Sequence, residues 1–505
     1  MRRLLFAAAL ASSLLPSLAF AATTLETAFP LNVWQLAGPG QEDLLLGATG
    51  NAPVAIPDDI LWYVQPFGST LLDDDVEELV GVLRTKQIPG VSFKNYKSFG
   101  DAQLRHLADL PELRIVDLSG TSISDEGLEN LKRVPSVTVV NIARTPVTNE
   151  ALLFLNVQLL PNLFRLTVDD TKIDDKGLKA LGHIENLQNI SLAGTSVGDN
   201  GLWDTLSQLE GLSAVNVSRT KISDGGVKWL KNLPKLAALD VSKTGVTDAG
   251  LENIKGKTNL LVLVLSDTKV TDAGLNVVAG MTRMRTLGLA GLGVTDDGMG
   301  TISGLIGIRS LDLRGTQITS SSMRVIAKMK DLEKLSIADT KVSNAGITQI
   351  EGLKQLQRLS LAGSQVGDGG LSYLRGNKQL RELSLENTSV SDKGLAEIAW
   401  AGYLTSLDLR GTKIGDNGLK NLAAMRGMLT LRLDKTKVGD AGLKNLSNMS
   451  SLKTLTLEGT PVTDGAAKDL LAMKSLGQVS LGGTKVTPKG ADALKARPRL
   501  VVVMK

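Results

Sequence analysis

The chain has no cysteine, only two histidines and few aromatic residues, and each shortage excludes a kind of site. Without thiols it can form no disulfide, no thiolate metal site and no cysteine nucleophile. A zinc site or a histidine proton shuttle would have to use His106 or His183. The formal net charge is only +4, from 56 basic and 52 acidic side chains, so charge gives no argument for nucleic-acid binding. Because aromatics make up 3% of the residues, any large core must be aliphatic.

Long apolar runs are also scarce, and the one near the N-terminus is typical of an export signal. Arg2 and Arg3 precede an apolar stretch over residues 4–15, and Ala19-Phe20-Ala21 fits the small-x-small pattern of a cleavage site. We expect a signal peptide over 1–21 and an exported protein, periplasmic or secreted, with no membrane span after signal removal. The alternative is an uncleaved anchor, although Pro16 interrupts the run.

A repeat close to LxxLxLxGTxVTDxGLxxLxxLxx fills the chain from Leu113 onward. Its threonine recurs every 24 residues in most units, for example at Thr388, Thr412 and Thr436. This regularity predicts about sixteen full repeats of one supersecondary unit, with degenerate repeats at the ends. An ordinary globular domain would not produce it.

Each part of the repeat predicts a local structure. The LxxLxL segment alternates as a half-buried strand does, so Leu404, Leu407 and Leu409 should point inward. The threonine should hydrogen-bond backbone groups of the adjacent turn. The aspartate of VTDxGL, such as Asp416, should be a helix N-cap, and the small residue two positions later should avoid a collision with the neighbouring coil.

These motifs resemble the leucine-rich-repeat superfamily over about three quarters of the chain. The VTDxGL turn is similar to the subtype found in F-box-type leucine-rich-repeat domains and in uncharacterised bacterial leucine-rich-repeat proteins. The resemblance implies an α/β horseshoe-shaped solenoid with a parallel inner sheet and short outer helices, and usually a binding role. This chain has threonine where that subtype usually has cysteine, which suits an oxidising compartment.

Residues 22–87 do not repeat and hold a high share of the aromatics. We interpret them as an N-terminal capping region before a solenoid over 88–505, and a small ligand-binding module with an aromatic pocket is the alternative. A helix is predicted from about Leu72 to Lys86, and a degenerate coil begins with a strand near Val91. At the other end, 500–503 should form a last strand.

The sequence predicts no catalytic set, no metal site and no cofactor. Carboxylate pairs occur at 58–59, 73–75, 169–170 and 174–175, but the last of these belongs to the repeat turn and 73–75 lies at a helix start. Neither His106 nor His183 has a nucleophile or carboxylate at a fixed spacing, so both are interpreted as structural or solvent-exposed. We therefore expect no enzyme.

The polar strand positions predict where a partner would bind. From Ser191 to Ala290 these positions are small and uncharged, whereas from about Ser310 onward both charge signs alternate along the inner face. The candidate binding residues are Asp312, Arg314, Lys334, Arg358, Glu382, Glu386, Asp408, Arg410, Arg432, Asp434 and Glu458. Arginine is enriched at interaction hot spots, although isolated surface charges are usually only solvated.

The functional hypothesis is an exported scaffold for protein–protein interaction in the cell envelope or outside the cell. The expected partner is a protein and not a nucleic acid. The alternative is binding of envelope carbohydrate such as peptidoglycan or another polysaccharide, which exposed aromatics in 22–87 would favour.

Overall fold

The computed structural model describes residues 23–504 except 39–41, 51, 69, 157 and 183. Packing divides the chain into two compact units, one ending at Val262 and the other beginning at Leu263. The predicted signal peptide, 1–21, and His183 lie outside the described residues.

The first unit is a row of short parallel strands, one per coil, preceded by strands of the N-terminal region. The N-terminal strands are Thr23–Leu25, Leu31–Gln35, Leu44–Ala48, Val54–Ile56 and Trp62–Pro66. The coil strands are Gly90–Ser92, Ile115–Asp117, Val139–Asn141, Arg165–Thr167, Asn189–Ser191, Ala214–Asn216 and Ala238–Asp240. A further strand, Val262–Val264, lies where the two units meet in sequence. The degenerate coil predicted near Val91 is confirmed.

The second unit continues the same pattern in a parallel sheet whose neighbouring strands keep an unshifted register. Its strands are Thr286–Gly288, Ser310–Asp312, Lys334–Ser336, Arg358–Ser360, Glu382–Ser384, Ser406–Asp408, Thr430–Arg432, Thr454–Thr456, Gln478–Ser480 and Val501–Val503. The last strand confirms the prediction for 500–503.

Short helices return the chain from each strand to the next. The α-helices are Asp73–Thr85, Asp101–Leu104, Asp125–Leu128, Ala151–Phe154, Asp175–Leu178, Asp199–Leu206, Asp248–Leu251, Leu275–Val278, Asp296–Thr301, Met323–Ile326, Asn344–Ile347, Asp368–Leu371, Asp392–Ile398, Asp416–Leu419, Asp440–Leu443, Ala467–Ala472 and Pro488–Lys495. The 3₁₀ segments are Arg105–Leu107, Glu129–Arg133, Lys179–Leu181, Lys228–Asn232, Glu252–Ile254, Ser320–Ser322, Thr348–Gly352, Ser372–Gly376, Lys420–Leu422, Lys444–Leu446 and Asp464–Ala466.

The repeated leucines form an aliphatic core inside each unit, as the strand pattern predicts. Leu404, Leu407 and Leu409 have no exposed surface. A single coil could not hide these side chains, because the neighbouring coils supply the other walls of the core. The predicted fold class, an α/β solenoid of parallel strands and short helices, is confirmed.

The repeated threonine acts within its own coil, which corrects the predicted contact with the adjacent turn. Thr412 Oγ1 donates to the carbonyl oxygen of Leu409 at 2.6 Å, and Ser364 makes the same bond to Leu361 at 2.6 Å. The residue just before the threonine has positive φ, 65° at Gly411 and 55° at Lys435, which explains why glycine is frequent there. The hydroxyl therefore closes a tight turn at the end of the strand.

The repeated aspartate is not the helix N-cap, so that prediction is wrong by one residue in most coils. Asp416 is the first residue of its helix, and Gly415 is the cap. The carboxylate instead reaches the next coil: Asp416 Oδ1 accepts from the amide nitrogen of Gly439 at 2.6 Å. In some coils the cap residue is a threonine, such as Thr295. The carboxylate of Asp272 then accepts hydrogen bonds from both the amide nitrogen of Thr295, at 2.9 Å, and its hydroxyl, at 2.5 Å.

The glycine two positions after the aspartate leaves space for this carboxylate. A Cβ built at Gly442 would approach Asp416 Cα to 3.1 Å and Leu419 Cδ1 to 3.2 Å, and would lie closer still to Asp416 Oδ1. The predicted collision with the neighbouring coil is therefore confirmed. Aspartate and glycine together form a ladder that joins successive helix starts.

The N-terminal region closes the first end of the sheet. Strand Trp62–Pro66 pairs in parallel with the first coil strand through Val64 and Val91. The predicted helix is confirmed as Asp73–Thr85, with Val76, Leu79, Val80 and Leu83 buried. Among the described residues, no helix is long and apolar enough to cross a membrane.

Candidate functional site

The sheet face opposite the leucines in the second unit carries the predicted binding residues. Each coil presents three outward positions, so neighbouring strands align them in three rows. One row runs through Lys334, Arg358 and Glu382, which are direct Cα partners. The structure thus places all the predicted residues on one face, and whether they bind a partner stays a prediction.

The most concentrated charge in this region centres on Arg410. Its guanidinium lies 2.7 Å from Glu386 Oε2 and 2.7 Å from Asp408 Oδ2, and its Nε lies 3.0 Å from Asp408 Oδ1. Arg432 Nη1 approaches the same Asp408 carboxylate at 3.8 Å. The hydrogen bond to Asp408 raises the pKa of Arg410 above its usual value. Because the Asp408 side chain is only 8% exposed, this group is partly a structural network under the arginine.

Two further ion pairs are more exposed. Arg358 Nε lies 2.9 Å from Glu382 Oε1, and Arg314 Nη2 lies 3.9 Å from Asp312 Oδ2. Their side chains are 40–58% exposed, so each pair adds little to stability and can exchange its partner for a ligand.

Several predicted carboxylates also hold the backbone in place. Asp434 accepts from Thr456 Oγ1 at 2.5 Å and from the amide nitrogen of Glu458 at 2.6 Å. Asp312 accepts from the Arg314 amide at 3.0 Å. Sequence reasoning assigned these residues to binding alone. Their structural role is visible only in the hydrogen bonds of the folded chain.

A shallow depression of about 330 Å³ lies in the middle of this face. Its lining includes the charged residues Asp312, Lys334, Arg358, Glu382, Asp408 and Arg432, and between them the serines Ser336, Ser360 and Ser384. The sequence analysis does not single out these serines, because one uncharged serine at an outward strand position gives no sign of a binding site. The signal was that the same row holds serine in three successive units.

The first unit differs, because its inner face near the N-terminus is covered. Ile115, Val139 and Phe164 point from that face and are 1%, 4% and 8% exposed. Tyr63 is buried in the same cluster, and partly buried Trp34, Leu36 and Leu61 pack against it. Trp34 and Tyr63 of the N-terminal region thus pack onto the solenoid, which favours the capping interpretation over an aromatic pocket.

Polar contacts fix the same segment. Arg165 Nη1 donates to the carbonyl oxygen of Ala37 at 2.9 Å, and Tyr63 Oη donates to Asp43 Oδ2 at 2.7 Å. Asp43 Oδ1 accepts from the Ala37 amide at 2.7 Å. Burial lowers the pKa of Arg165, whereas burial and the nearby Asp43 raise that of Tyr63. Nothing in the sequence pattern indicated these contacts, which join residues up to 128 positions apart.

Three carboxyl groups on the first unit's sheet have raised pKa values. Burial is the main cause at Asp117, Asp169 and Asp240, and it outweighs the hydrogen bonds that favour the charged form. Asp117 accepts from Ser92 Oγ at 2.9 Å and from the Ser119 amide at 3.0 Å. These hydrogen bonds tie the Asp117 carboxylate to its own turn and to the neighbouring strand, so its role is structural.

Among the described residues, those considered for chemistry do not assemble into a reactive set; His183 lies outside them. His106 Nδ1 lies 3.7 Å from Glu77 Oε1, and its Nε2 is buried with no hydrogen-bond partner. Asp73, Asp74 and Asp75 form the first turn of a helix, as predicted. No group of three histidine or acidic side chains in the described part of the chain is placed to hold a metal ion.

Comparisons with known proteins agree with this architecture. The family model described as a leucine-rich repeat matches residues 111–132 and 403–423. A leucine-rich-repeat protein of Leptospira interrogans has a similar solved structure: the TM-score is 0.50 at 19% identity, covering 79% of this chain and 97% of that one. An internalin from Listeria monocytogenes matches with a TM-score of 0.44 at 20% identity, over 70% of this chain and 88% of that one. A search of curated proteins finds no significant match.

Proposed function

We propose that this leucine-rich-repeat solenoid, which matches the repeat's family model at residues 111–132 and 403–423, is an exported scaffold that binds another protein on the inner sheet face of its second unit, between Asp312 and Glu458. We propose no catalytic activity. The role is recognition by a preformed surface of strands.

The observation that carries the proposal is the contrast between the inner faces of the two units. In the first unit, the positions next to the N-terminal region are apolar and already covered by Trp34, Leu36 and Tyr63. In the second unit the side chains of the corresponding rows are exposed and charged, and the depression lies at the centre of the face. An exposed face with arginines fixed by neighbouring carboxylates presents oriented hydrogen-bond donors, which suits protein recognition.

Charge reversal tests the location. The partner is first captured from envelope and secreted fractions on immobilised wild-type protein. We expect a triple variant, Arg314→Glu, Arg410→Glu and Arg432→Glu, to lose it. A control with the same change of charge, Arg324→Glu, Lys420→Glu and Lys444→Glu on the helix side, should retain it.

Arg410 also supports Asp408, so the triple variant is first checked by circular dichroism. The double variant Arg314→Glu and Arg432→Glu leaves the shortest contacts of Asp408 intact and serves if the triple variant misfolds. Unchanged affinity in a folded charge-reversed variant would place binding elsewhere.

Export is a separate part of the proposal and rests on the N-terminal pattern of Arg2, Arg3 and Ala19-Phe20-Ala21. Cell fractionation of full-length chain and of a chain lacking 2–21 tests it. The full-length protein should appear outside the cytoplasm with Ala22 as its first residue, and the shortened chain should stay inside.

Envelope polysaccharide remains the second candidate ligand, with less support. Sugar binding commonly uses exposed aromatic faces; in the N-terminal region Phe67 is 45% exposed, whereas Trp62 and Tyr63 are only 6% and 7% exposed. A cell-wall pull-down that retains the wild-type protein and releases it after addition of soluble wall fragments would favour this alternative.

A further inference from the structure

The depression on the second unit's inner face has a polar floor, one charged rim and charged ends. Its floor is formed by Ser336, Ser360 and Ser384, which align in one row of the parallel sheet. Within the described residues, none of these three hydroxyl groups has a hydrogen-bond partner, and all three side chains are partly exposed. A row of free donors and acceptors is therefore available to a bound molecule.

One rim of the depression places two cations side by side. Lys334 and Arg358 are direct partners across neighbouring strands. Like charges in this position repel one another. On its other side Arg358 is neutralised by Glu382, with 2.9 Å between Nε and Oε1. Lys334 has no carboxylate within 4.0 Å in the part of the chain that the structure describes, so its charge is the one left unbalanced.

The two ends of the depression are internally balanced. Asp312 faces Arg314 at one end, and at the other end the two carboxylates of Glu386 and Asp408 balance Arg410 and Arg432. The local charge that lacks a counterion is thus the ammonium group of Lys334. An anionic group would relieve its repulsion with Arg358 and would be more favourable here than a neutral or cationic one.

The extent of the depression indicates the size of its occupant. It crosses six strands, from Ser310 to Arg432. With strands spaced about 4.8 Å apart, this distance is roughly 24 Å. An extended chain advances about 3.3 Å per residue, so about seven residues would span it. A small free anion would contact only one rim.

We propose that the depression binds an extended peptide segment of the partner and that an acidic side chain of this segment pairs with Lys334 beside Arg358. The serine hydroxyls hydrogen-bond the peptide backbone. This inference rests on the proposed function and narrows it to one peptide chemistry and one anchoring residue.

Randomised peptides test the assignment with a defined probe. Two pools of ten-residue peptides are prepared, identical except for a central glutamate or glutamine, and retention on the immobilised full chain is measured at physiological salt. We expect about fivefold stronger retention of the glutamate pool, a modest factor because Lys334 is exposed and screened. Lys334→Ala should abolish this preference. Lys341→Ala, an exposed lysine of the same coil outside the depression, should keep it.

Each outcome decides the inference. Loss of the preference in Lys334→Ala alone supports it. Equal retention of the two pools by wild type, or a preference that survives in Lys334→Ala, overturns it. Competition by inorganic phosphate at constant ionic strength, as strong as competition by the glutamate pool, would assign the site to a free anion and also overturn it. None of these results affects capture of a folded partner, so the charge-reversal test remains independent.

Discussion

The ladder of aspartate and glycine at the helix starts yields the sharpest stability prediction. Helix Asp296–Thr301 contains two glycines with opposite surroundings. A Cβ at Gly298 would lie 2.8 Å from Asp272 Cγ and 3.0 Å from Leu275 Cδ1, whereas a Cβ at Gly300 would meet nothing within 4 Å. Gly298→Ala and Gly300→Ala therefore form a matched pair.

The magnitude follows from what the carboxylate of Asp272 holds. It accepts from the amide of Thr295 at 2.9 Å and from its hydroxyl at 2.5 Å, and a methyl group at 298 would displace it. Displacement of the carboxylate weakens two hydrogen bonds to a charged group, each of which contributes about 1.5–3 kcal/mol, so their partial loss costs about 2–4 kcal/mol. Alanine returns about 1 kcal/mol of helix propensity. We expect a net destabilisation of about 2 kcal/mol for Gly298→Ala and a stabilisation of about 0.5–1 kcal/mol for Gly300→Ala.

Urea unfolding, followed by circular dichroism, measures the two free energies of unfolding. Hydrogen exchange of the peptide that contains Thr295 gives a local readout, which matters because a solenoid can open in parts. Exchange there should accelerate only in Gly298→Ala. Equal stability of the two variants would refute the account of the ladder.

Three further predictions test other contacts. Thr412→Val should cost about 1 kcal/mol by urea unfolding, because it removes the hydroxyl that closes the turn; Thr412→Ser should be nearly neutral, as Ser364 makes the same bond. Asp117→Asn should raise the melting temperature at neutral pH and have less effect as the pH falls. Burial raises the pKa of Asp117 in the folded state above its unfolded-state value, so ionisation opposes folding fully above the folded-state pKa; the penalty shrinks as the pH falls below that pKa and is gone only below the unfolded-state pKa. Val139→Asn should cost about 2 kcal/mol under the N-terminal cover, whereas Ala238→Asn in the same row should be tolerated, and calorimetry of the two variants checks the difference.

The repeat predicted the strands well because each strand is specified locally. Leucine spacing fixes which side chains point inward, and Leu404 and Leu407 are buried as expected. The helix Asp73–Thr85 was likewise predictable, since Val76 and Leu83 lie on one apolar face.

The contacts of the repeated aspartate and threonine were harder to predict from the sequence, because their partners lie in other coils or other turns. A conserved spacing shows that Asp416 is near a helix start, but not that its carboxylate bonds Gly439 of the next coil. Thr412 was predicted to bond backbone groups of the adjacent turn, and its hydroxyl instead bonds the carbonyl oxygen of Leu409 in its own coil at 2.6 Å.

The candidate site was predictable only in outline. Counting strand positions placed Lys334 and Arg410 on one face, and the structure agrees. The sequence pattern alone could not show that Asp408 is nearly buried under Arg410, or that the Asp434 carboxylate accepts a hydrogen bond from the backbone of the next coil. The packing of the N-terminal region over Ile115 and Val139 was not predicted either, because it joins residues that are far apart in the chain.

Photocrosslinking in cells shows whether the open inner face of the second unit contacts a partner. A photoreactive amino acid replaces Ser360 in the depression or Lys420 on the helix side, and cells producing each variant are irradiated. We expect a covalent adduct to a protein from position 360 and none from position 420. An adduct from 420 alone, with none from 360, would contradict this expectation.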